Sequence, residues 1–129
     1  KNYIKELMNT LCIYQCRDKF PSEMSGGEQQ RVAIARGMCV SPAIILADEP
    51  TGNLDAENAE EVAMLMSKAS RLYQQTIIMV THDPQMASNC KHVILLKDGV
   101  ILKTLDRKGD DEKERERYYR EILGEMEQL

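Results

Sequence analysis

The chain lacks several features that would assign it to common classes of protein. No apolar run in its 129 residues approaches the roughly 18 residues that a membrane-spanning helix needs. Its four cysteines, Cys12, Cys16, Cys39 and Cys90, do not show the paired C-x-x-C spacing of a zinc ribbon or a redox motif. We therefore expect a cytosolic protein with reduced thiols, in which Cys12 and Cys16 share one helix face and serve packing.

The chain also lacks an excess of basic residues. Its formal net charge is -4, so bulk electrostatics give no reason to expect binding to nucleic acid or to an anionic membrane surface. With 129 residues, of which 43% are hydrophobic, it is long enough for one modest core and too short for two ordinary domains. These properties predict one soluble unit with no nucleic-acid partner.

One apolar run ends in two adjacent carboxylates. The segment Ile44–Ala47 leads into Asp48 and Glu49, and the sequence Pro-Thr-Gly that follows forces a turn. A buried strand of this kind delivers acidic side chains to a site at its carboxyl end, where they can hold a cation and a water molecule. Asp55 then has the character of an N-cap for a helix that runs to about Leu72.

A second short strand is predicted after that helix. Thr76–Val80 is continuously apolar, as in a strand covered on both faces, and completes a right-handed βαβ unit. His82 follows this strand, so we expect it beside the carboxyl end of the first strand. Asp83 and Pro84 are typical of a cap and first position of a short helix.

Two helices precede the acidic strand. Apolar residues at helical spacing predict an amphipathic helix from Lys1 to about Gln15. Ser25-Gly-Gly-Glu28 has the form of a capping box, which by itself marks only a helix start. The two glycines also leave backbone amides bare at the positive end of a helix dipole, where a phosphate can bind, so both interpretations stay open. Within this helix, Arg31 and Arg36 should reach carboxylates or solvent.

The last third of the chain reads as a hairpin and a helix. Asp98-Gly99 between His92–Lys97 and Val100–Lys103 is a strong two-residue hairpin signal. We expect His92 to be a surface or strand-edge residue. A charged segment after Asp106 leads to an apolar stripe for packing on the same domain or on a partner, made of Tyr118, Tyr119, Ile122, Leu123 and Met126.

Together these motifs strongly resemble the later half of the ATPase domain of ABC transporters. Met24-Ser-Gly-Gly-Glu28 resembles the signature motif, with Met and Glu at positions where Leu and Gln are commoner. Ile44–Asp48 resembles the Walker B strand, Pro50–Asp55 the D-loop region, and His82 the switch histidine. The resemblance covers roughly Lys1 to Thr104. The residues of its motifs are most similar to those of the branch that serves lipoprotein release, macrolide export and peptide-antibiotic resistance.

The resemblance implies an α/β fold of the P-loop NTPase type, with a mostly parallel sheet flanked by helices and a C-terminal helix. Residues 1–107 would form the C-terminal half of the ATPase domain. Within it, residues 1–24 would end the helical subdomain, and residues 25–107 would hold the signature, Walker B, D-loop, H-loop and hairpin. Residues 108–129 would form a charged C-terminal helix.

The resemblance also implies roles in ATP hydrolysis, which needs a metal across the phosphates and a group that orients water. Asp48 would hold Mg²⁺ through water, Glu49 would polarise the attacking water, and His82 would contact the γ-phosphate. A further set would act at the seam of a head-to-tail dimer. Of this set, Asp55 would lie at the seam itself, and the residues that face the ATP of the opposite domain would be Ser25, Gly26, Gly27 and Glu28.

The sequence has no stretch that fits G-x-x-x-x-G-K-[ST], the loop that cradles the phosphates. We therefore expect an incomplete fold that neither binds ATP tightly nor hydrolyses it alone. Its sheet would keep an open edge, and the isolated chain would be partly unfolded, self-associated or paired with the missing P-loop half. The other implied partners are a second ATPase domain and a transmembrane permease, which would place the protein in the cytoplasm at the inner face of the cell membrane.

Two alternative functions stay open. Ser-Gly-Gly-Glu and an acidic Walker B strand also occur in DNA-maintenance ATPases of the SMC and Rad50-like kind, although the start of this chain shows no heptads. A non-catalytic interaction module that keeps the fold is the other alternative. The presence of Asp48, Glu49 and His82 argues against it.

Overall fold

The computed structural model describes residues 2–129. Contacts divide the chain into two compact units, Lys1–Val80 and Thr81–Leu129. In chain order the elements of the described residues are α1 (Asn2–Thr10), 3-10 turns at Tyr14–Cys16 and Pro21–Glu23, α2 (Gly26–Met38), β1 (Ile44–Asp48), α3 (Ala56–Leu72), β2 (Thr76–Val80), α4 (Pro84–Ala87), β3 (His92–Lys97), β4 (Val100–Asp106) and α5 (Glu112–Glu127). None of the helices described in residues 2–129 has the length and apolar character needed to span a bilayer.

The first unit contains the predicted βαβ unit. Strands β1 and β2 pair in parallel, from Ile44 opposite Thr76 to Asp48 opposite Val80, and α3 connects them. The inner sides of both strands pack against a core formed by α1, α2 and α3. The fully buried members of this core include Leu7, Leu11, Ile13, Met38, Val62 and Ala69.

The outer face of this two-stranded sheet corrects one expectation. Apolar side chains of both strands remain exposed there, and Leu46 and Val80 retain 75% and 55% of their surface. The prediction that Thr76–Val80 is covered on both faces is therefore wrong for this chain. The physical reason is that no described element of the first unit packs over that face, although the sequence of the strand suits full burial.

The first helix ends earlier than the predicted boundary near Gln15. The Ile13 amide donates to Met8 O at 2.8 Å and the Cys12 amide donates to Asn9 O at 3.1 Å, which is a Schellman motif that stops α1 at Thr10. Cys12 occupies the left-handed position with φ of +58°. Lys1, where the predicted helix began, lies outside the described residues.

This early end also overturns the prediction for two cysteines. Cys16 lies in the 3-10 turn Tyr14–Cys16 and is buried, whereas Cys12 lies in the turn after α1 and is exposed. They therefore do not share a helix face, because the helix that would have carried both has already ended. Packing accounts for Cys16 but not for Cys12.

The second unit has a core of its own. Strands β3 and β4 pair antiparallel, and the inward side chains of this hairpin pack against α5 and α4. Tyr118 and Ile122 of α5 are fully buried and Met126 packs against them, which confirms a packing role for these three residues of the predicted stripe. The expectation of one core is thus wrong, since the hairpin and α5 bury their apolar residues among themselves; these are Val93, Leu95, Leu105, Tyr118 and Ile122 together with Ala87.

The predicted hairpin turn is confirmed. Lys97 pairs with Val100 across Asp98 and Gly99, whose φ angles are +51° and +78°. Two consecutive positive φ angles are typical of the type I′ turn that Asp-Gly favours. At the other end of the hairpin, His92 is exposed at the start of β3 and its Nδ1 bonds the Asp106 carboxylate, as expected for a strand-edge residue.

Candidate functional site

Ser25 caps the N-terminus of α2. Its hydroxyl oxygen accepts from the Glu28 amide at 3.1 Å, and Glu28 Oε1 accepts from the Ser25 amide at 3.0 Å. Both halves of the predicted capping box are therefore present. The cap fixes the turn Ser25–Glu28 at the positive end of the helix dipole, which suits a nearby phosphate.

The Glu28 carboxylate is held in its charged form. Its pKa is lowered first by the hydrogen bond from the Ser25 amide and then by a hydrogen bond from the Cys16 thiol. Burial raises the pKa of the Cys16 thiol, and the bond to Glu28 raises it further. Both shifts favour a charged Glu28 carboxylate beside a neutral Cys16 thiol.

The two carboxylates at the end of β1 have different surroundings. Asp48 is the last residue of the strand and is exposed, whereas Glu49 is half-buried. Glu49 has a φ of +46°, a left-handed conformation that non-glycine residues rarely adopt and that often marks a functional position. Its amide donates to Val80 O at 2.7 Å, and its carbonyl accepts from the Gly52 amide at 3.1 Å, so a tight turn holds this backbone.

Asp55 is the N-cap of α3, as predicted. Its Oδ1 accepts from the Asn58 amide at 2.8 Å and its Oδ2 accepts from Asn58 Nδ2 at 3.2 Å. Both carboxylate oxygens thus bond the first turn of the helix. These bonds fix the direction in which the chain passes from the D-loop-like segment into α3.

The turn Ser25–Glu28, named the signature turn after the motif that it resembles, packs directly against the D-loop-like segment Pro50–Asp55. A Cβ atom added at Gly26 would lie 3.1 Å from Leu54 Cδ2, and one added at Gly27 would lie 3.6 Å from Asn58 Oδ1. Two predicted site segments therefore meet within the first unit. The sequence did not reveal these contacts of Leu54 and Asn58, because they join residues about 30 positions apart and carry no local signal.

Arg31 is a further residue whose role the sequence showed only in part. It is 8% exposed, and its guanidinium pairs with Glu61 at 3.2 Å, which fits the expectation that it reaches a carboxylate. It also donates to the carbonyls of Gly27, Leu11 and Cys12. Arg36, on the same helix, is exposed.

His82 belongs to the second unit, two residues beyond β2 in the chain, and is exposed. Its neighbours form a local turn in which the Asp83 amide donates to Thr81 Oγ1 at 3.0 Å. Asp83 Oδ1 accepts from the Gln85 amide at 2.9 Å, so Asp83 caps α4, as predicted. The expected approach of His82 to Asp48 and Glu49 stays a prediction.

The carboxylates can serve only part of a metal site. Within residues 2–129, no group of three or more His, Cys, Asp or Glu side chains is arranged to hold a metal ion. Mg²⁺, however, is commonly bound by one or two carboxylates together with water and substrate phosphates. An exposed oxygen ligand at Asp48 fits that kind of site.

Comparison with known proteins identifies the family to which the chain is similar. The model of the ABC transporter family matches residues 1–52. The bacitracin export ATP-binding protein BceA of Halalkalibacterium halodurans is 42% identical over 92% of this chain and 46% of the relative. The lipoprotein-releasing system ATP-binding protein LolD of Cytophaga hutchinsonii is 41% identical over 79% of this chain and 47% of the relative.

A solved structure extends the comparison to the fold. The ATP-binding cassette MJ0796, a dimer bound to ADP and Pi, matches with a TM-score of 0.62 and 36% identity over 82% of this chain and 46% of that one. The α/β fold class predicted from sequence is therefore confirmed. The chain spans about half the length of the curated relatives it matches. On motifs, fold and relatives together, the chain belongs to the family of ABC transporter ATP-binding proteins.

Proposed function

We propose that this chain carries the C-terminal half of an ABC ATPase domain that powers transport or extraction through a membrane permease. The observation that supports it most directly is that the signature turn packs on the D-loop in the unit that also carries Asp48 and Glu49. In a head-to-tail dimer, Asp48 and Glu49 would serve one nucleotide site and the signature turn would serve the other, so one domain would contribute to both. The C-terminal part of the chain, residues 108–129, adds a charged helix to this half.

On the phosphate side, Asp48 would hold Mg²⁺ through water and Glu49 would orient the attacking water. Mg²⁺ supplies charge neutralisation on the phosphates when bound. The left-handed backbone of Glu49 supports this role, because it aims the side chain away from the direction it would take if the strand continued. His82 would donate a hydrogen bond to the γ-phosphate.

On the dimer side, the capped turn at Ser25, Gly26, Gly27 and Glu28 would face ATP held by a second copy of the domain. Free amides at a helix N-terminus with a hydroxyl beside them are suited to this. Asp55 would lie at the seam. Relatives of known assembly support a dimer, since the MJ0796 cassette is described as one.

The chain would depend on a Walker A half that is not part of its sequence. No G-x-x-x-x-G-K-[ST] stretch is present in the 129 residues. The two-stranded sheets and the exposed outer face of β1 and β2 support this dependence, because such edges and faces suit further strands and helices. Alone, the chain would not hydrolyse ATP.

The remaining partners follow from the family. The relatives include bacitracin export, lipoprotein-releasing and macrolide export proteins, and they favour a transporter over an SMC or Rad50-like ATPase. A permease partner would place the protein in the cytoplasm, peripheral at the inner face of the cell membrane. We expect no nucleic-acid partner.

Reconstitution tests this proposal. The chain is mixed with, or fused behind, a Walker A half taken from a relative such as BceA, and ATP hydrolysis with Mg²⁺ is measured against each half alone. We expect turnover only in the assembly, and Glu49→Gln should abolish it while leaving ATP binding. Turnover by the chain alone would refute the dependence. An assembly that binds ATP but shows no turnover would favour the non-catalytic interaction module.

A further inference from the structure

We propose that Arg31 is a positioning residue that fixes the signature turn Ser25–Glu28 relative to the start of α3 at Asp55. The inference rests on the proposed function, since both segments, the signature turn and Asp55, would lie at the dimer seam. It concerns how their relative position is fixed within one domain. Arg31 would touch neither nucleotide nor metal. It would act through the backbone that carries the signature glycines and through the helix that follows the D-loop.

The contacts of the Arg31 guanidinium reach three different elements. Nε donates to Gly27 O at 3.2 Å in α2, and Nη1 donates to Leu11 O at 3.2 Å and Cys12 O at 3.5 Å in the turn that ends α1. Nη1 also lies 3.2 Å from Glu61 Oε1 in α3. A single side chain thus ties α1, α2 and α3 together one turn away from the signature glycines.

The side-chain chemistry fits this duty. Leu11 and Cys12 supply carbonyls at the C-terminus of α1, where unsatisfied acceptors and the helix dipole favour a cation. The rigid guanidinium fork can bond acceptors in several directions at once, whereas a lysine ammonium is a point charge on a flexible stem. Because an ion pair with a half-exposed carboxylate such as Glu61 adds little net stability, orientation is the better account of a buried arginine with these partners.

The neighbouring contacts show why the orientation matters. Gly26 approaches Leu54 tightly, since an added Cβ would lie 3.1 Å from Leu54 Cδ2, and Gly27 faces Asn58 at ordinary van der Waals distance. Asn58 in turn donates to both oxygens of Asp55. A rotation of α2 about its axis would therefore displace Leu54 and the Asp55 cap at the start of α3. Arg31 resists this rotation because it holds α2 to Glu61, two turns along the same helix α3.

Hydrogen exchange of the 129-residue chain gives a readout that needs no activity. In Arg31→Met we expect the amides of Glu28 and Asn58, which form the two caps, to exchange about tenfold faster, while the amide of Ala63 inside α3 changes by less than about threefold. Arg31→Lys should not restore the caps. Arg36→Met, exposed on the same helix, is the matched control and should leave all three amides unchanged.

Glu61→Gln covers the case in which Arg31→Met fails to fold. It removes only the charge of a half-exposed carboxylate, and the exchange of the Asn58 amide should rise more than that of Ala63. Equal acceleration of the cap amides and of Ala63 in both variants would mean a merely structural role and would overturn the proposal. Restoration of the caps by Arg31→Lys would overturn it too, because charge alone would then suffice.

The reconstituted ATPase gives the functional readout. We expect Arg31→Met to lower kcat about tenfold with KM for ATP within about threefold, because ATP is held by the Walker A half and only closure on the signature turn is impaired. A parallel rise in KM with unchanged kcat would contradict the positioning role. If the wild-type assembly is inactive, the proposed function fails, and hydrogen exchange alone decides the role of Arg31.

Discussion

Gly26 lies against Leu54 so closely that a Cβ atom at Gly26 would approach Leu54 Cδ2 to 3.1 Å. Such a distance is shorter than ordinary van der Waals contact between carbon atoms. The first residue of α2 and the last residue before the Asp55 cap are therefore packed so closely that a methyl group at Gly26 would require Leu54 to move by a few tenths of an ångström. The signature turn and the D-loop behave as one packed unit.

Gly26→Ala should disturb this contact without unfolding the protein. Alanine suits a helix better than glycine by about 1 kcal/mol, while the flexible end of Leu54 must move by a few tenths of an ångström, so the free energy of unfolding should change by less than about 1 kcal/mol. In the reconstituted ATPase kcat should fall. Urea denaturation and the NMR shift of the Leu54 methyls measure the two effects.

Gly27→Ala is the matched control for the contact. Its added methyl would meet Asn58 at 3.6 Å, an ordinary van der Waals distance, so the Leu54 methyl shifts should stay near their wild-type values. Equal shifts in both variants would show that the tight approach of Gly26 to Leu54 is not what couples the two segments. Gly26→Ala combined with Leu54→Ala should recover part of any lost turnover.

The sequence predicted the features that depend on interactions between residues close together in the chain, such as helix caps and tight turns. Ser25, Asp55 and Asp83 were recognisable as caps because their side chains satisfy amides only two or three residues away. Asp98-Gly99 was recognisable because a type I′ turn needs two residues that tolerate positive φ. Hydrophobic spacing likewise predicted the βαβ unit and the packing stripe of α5.

Other features depend on contacts between distant residues and gave no such signal. The end of α1 escaped prediction because its left-handed position is held by Cys12, where glycine would have been the expected marker. The partners of Arg31 lie 20 residues before it and 30 after it, so no local pattern reveals them. Composition likewise gave no hint that α5 and the hairpin form a second core.

Two glycines should respond in opposite directions to the same substitution. Gly99→Ala places a side chain at φ of +78° in the hairpin turn and should lower the free energy of unfolding by about 1 kcal/mol, although the methyl itself meets nothing within 4 Å. Gly124→Ala, inside α5 with equally open space, should raise it by about 1 kcal/mol. Denaturation of both variants followed by circular dichroism tests this. Equal signs would show that φ at Gly99 is not the cause.

The outer face of β1 and β2 should drive self-association of the isolated chain. Leu46 is 75% exposed among other exposed apolar residues of the two strands, and the strand edges are unpaired in this two-stranded sheet. Leu46→Ser should therefore shift the concentration at which the chain associates upward, as measured by sedimentation velocity. Met64→Ser, which removes an exposed apolar side chain from α3, is the matched control and should have a smaller effect. An equal effect would mean that general surface hydrophobicity is responsible.

Glu114 should make the second unit sensitive to acid. Its carboxylate accepts from Arg117 Nε and Nη2, both at 2.7 Å, and from the Lys108 amide at 2.8 Å. The bonds from Arg117 and then the Lys108 amide lower the pKa of Glu114 from 4.5 to about 2. Because the pKa is lower in the folded state, the stabilisation is complete above the unfolded pKa and is lost as the pH falls from 4.5 towards about 2.

Glu114→Gln should remove that part of the acid dependence. Urea denaturation should show the variant less stable than the wild type at pH 6, and the difference should shrink steadily through the same window as the wild-type carboxylate becomes protonated. Glu116→Gln, whose exposed carboxylate accepts a single bond from Arg120, is the control and should change the profile less. A constant difference between wild type and Glu114→Gln across the window would contradict the assignment, because it would show that the lost stability does not depend on ionisation.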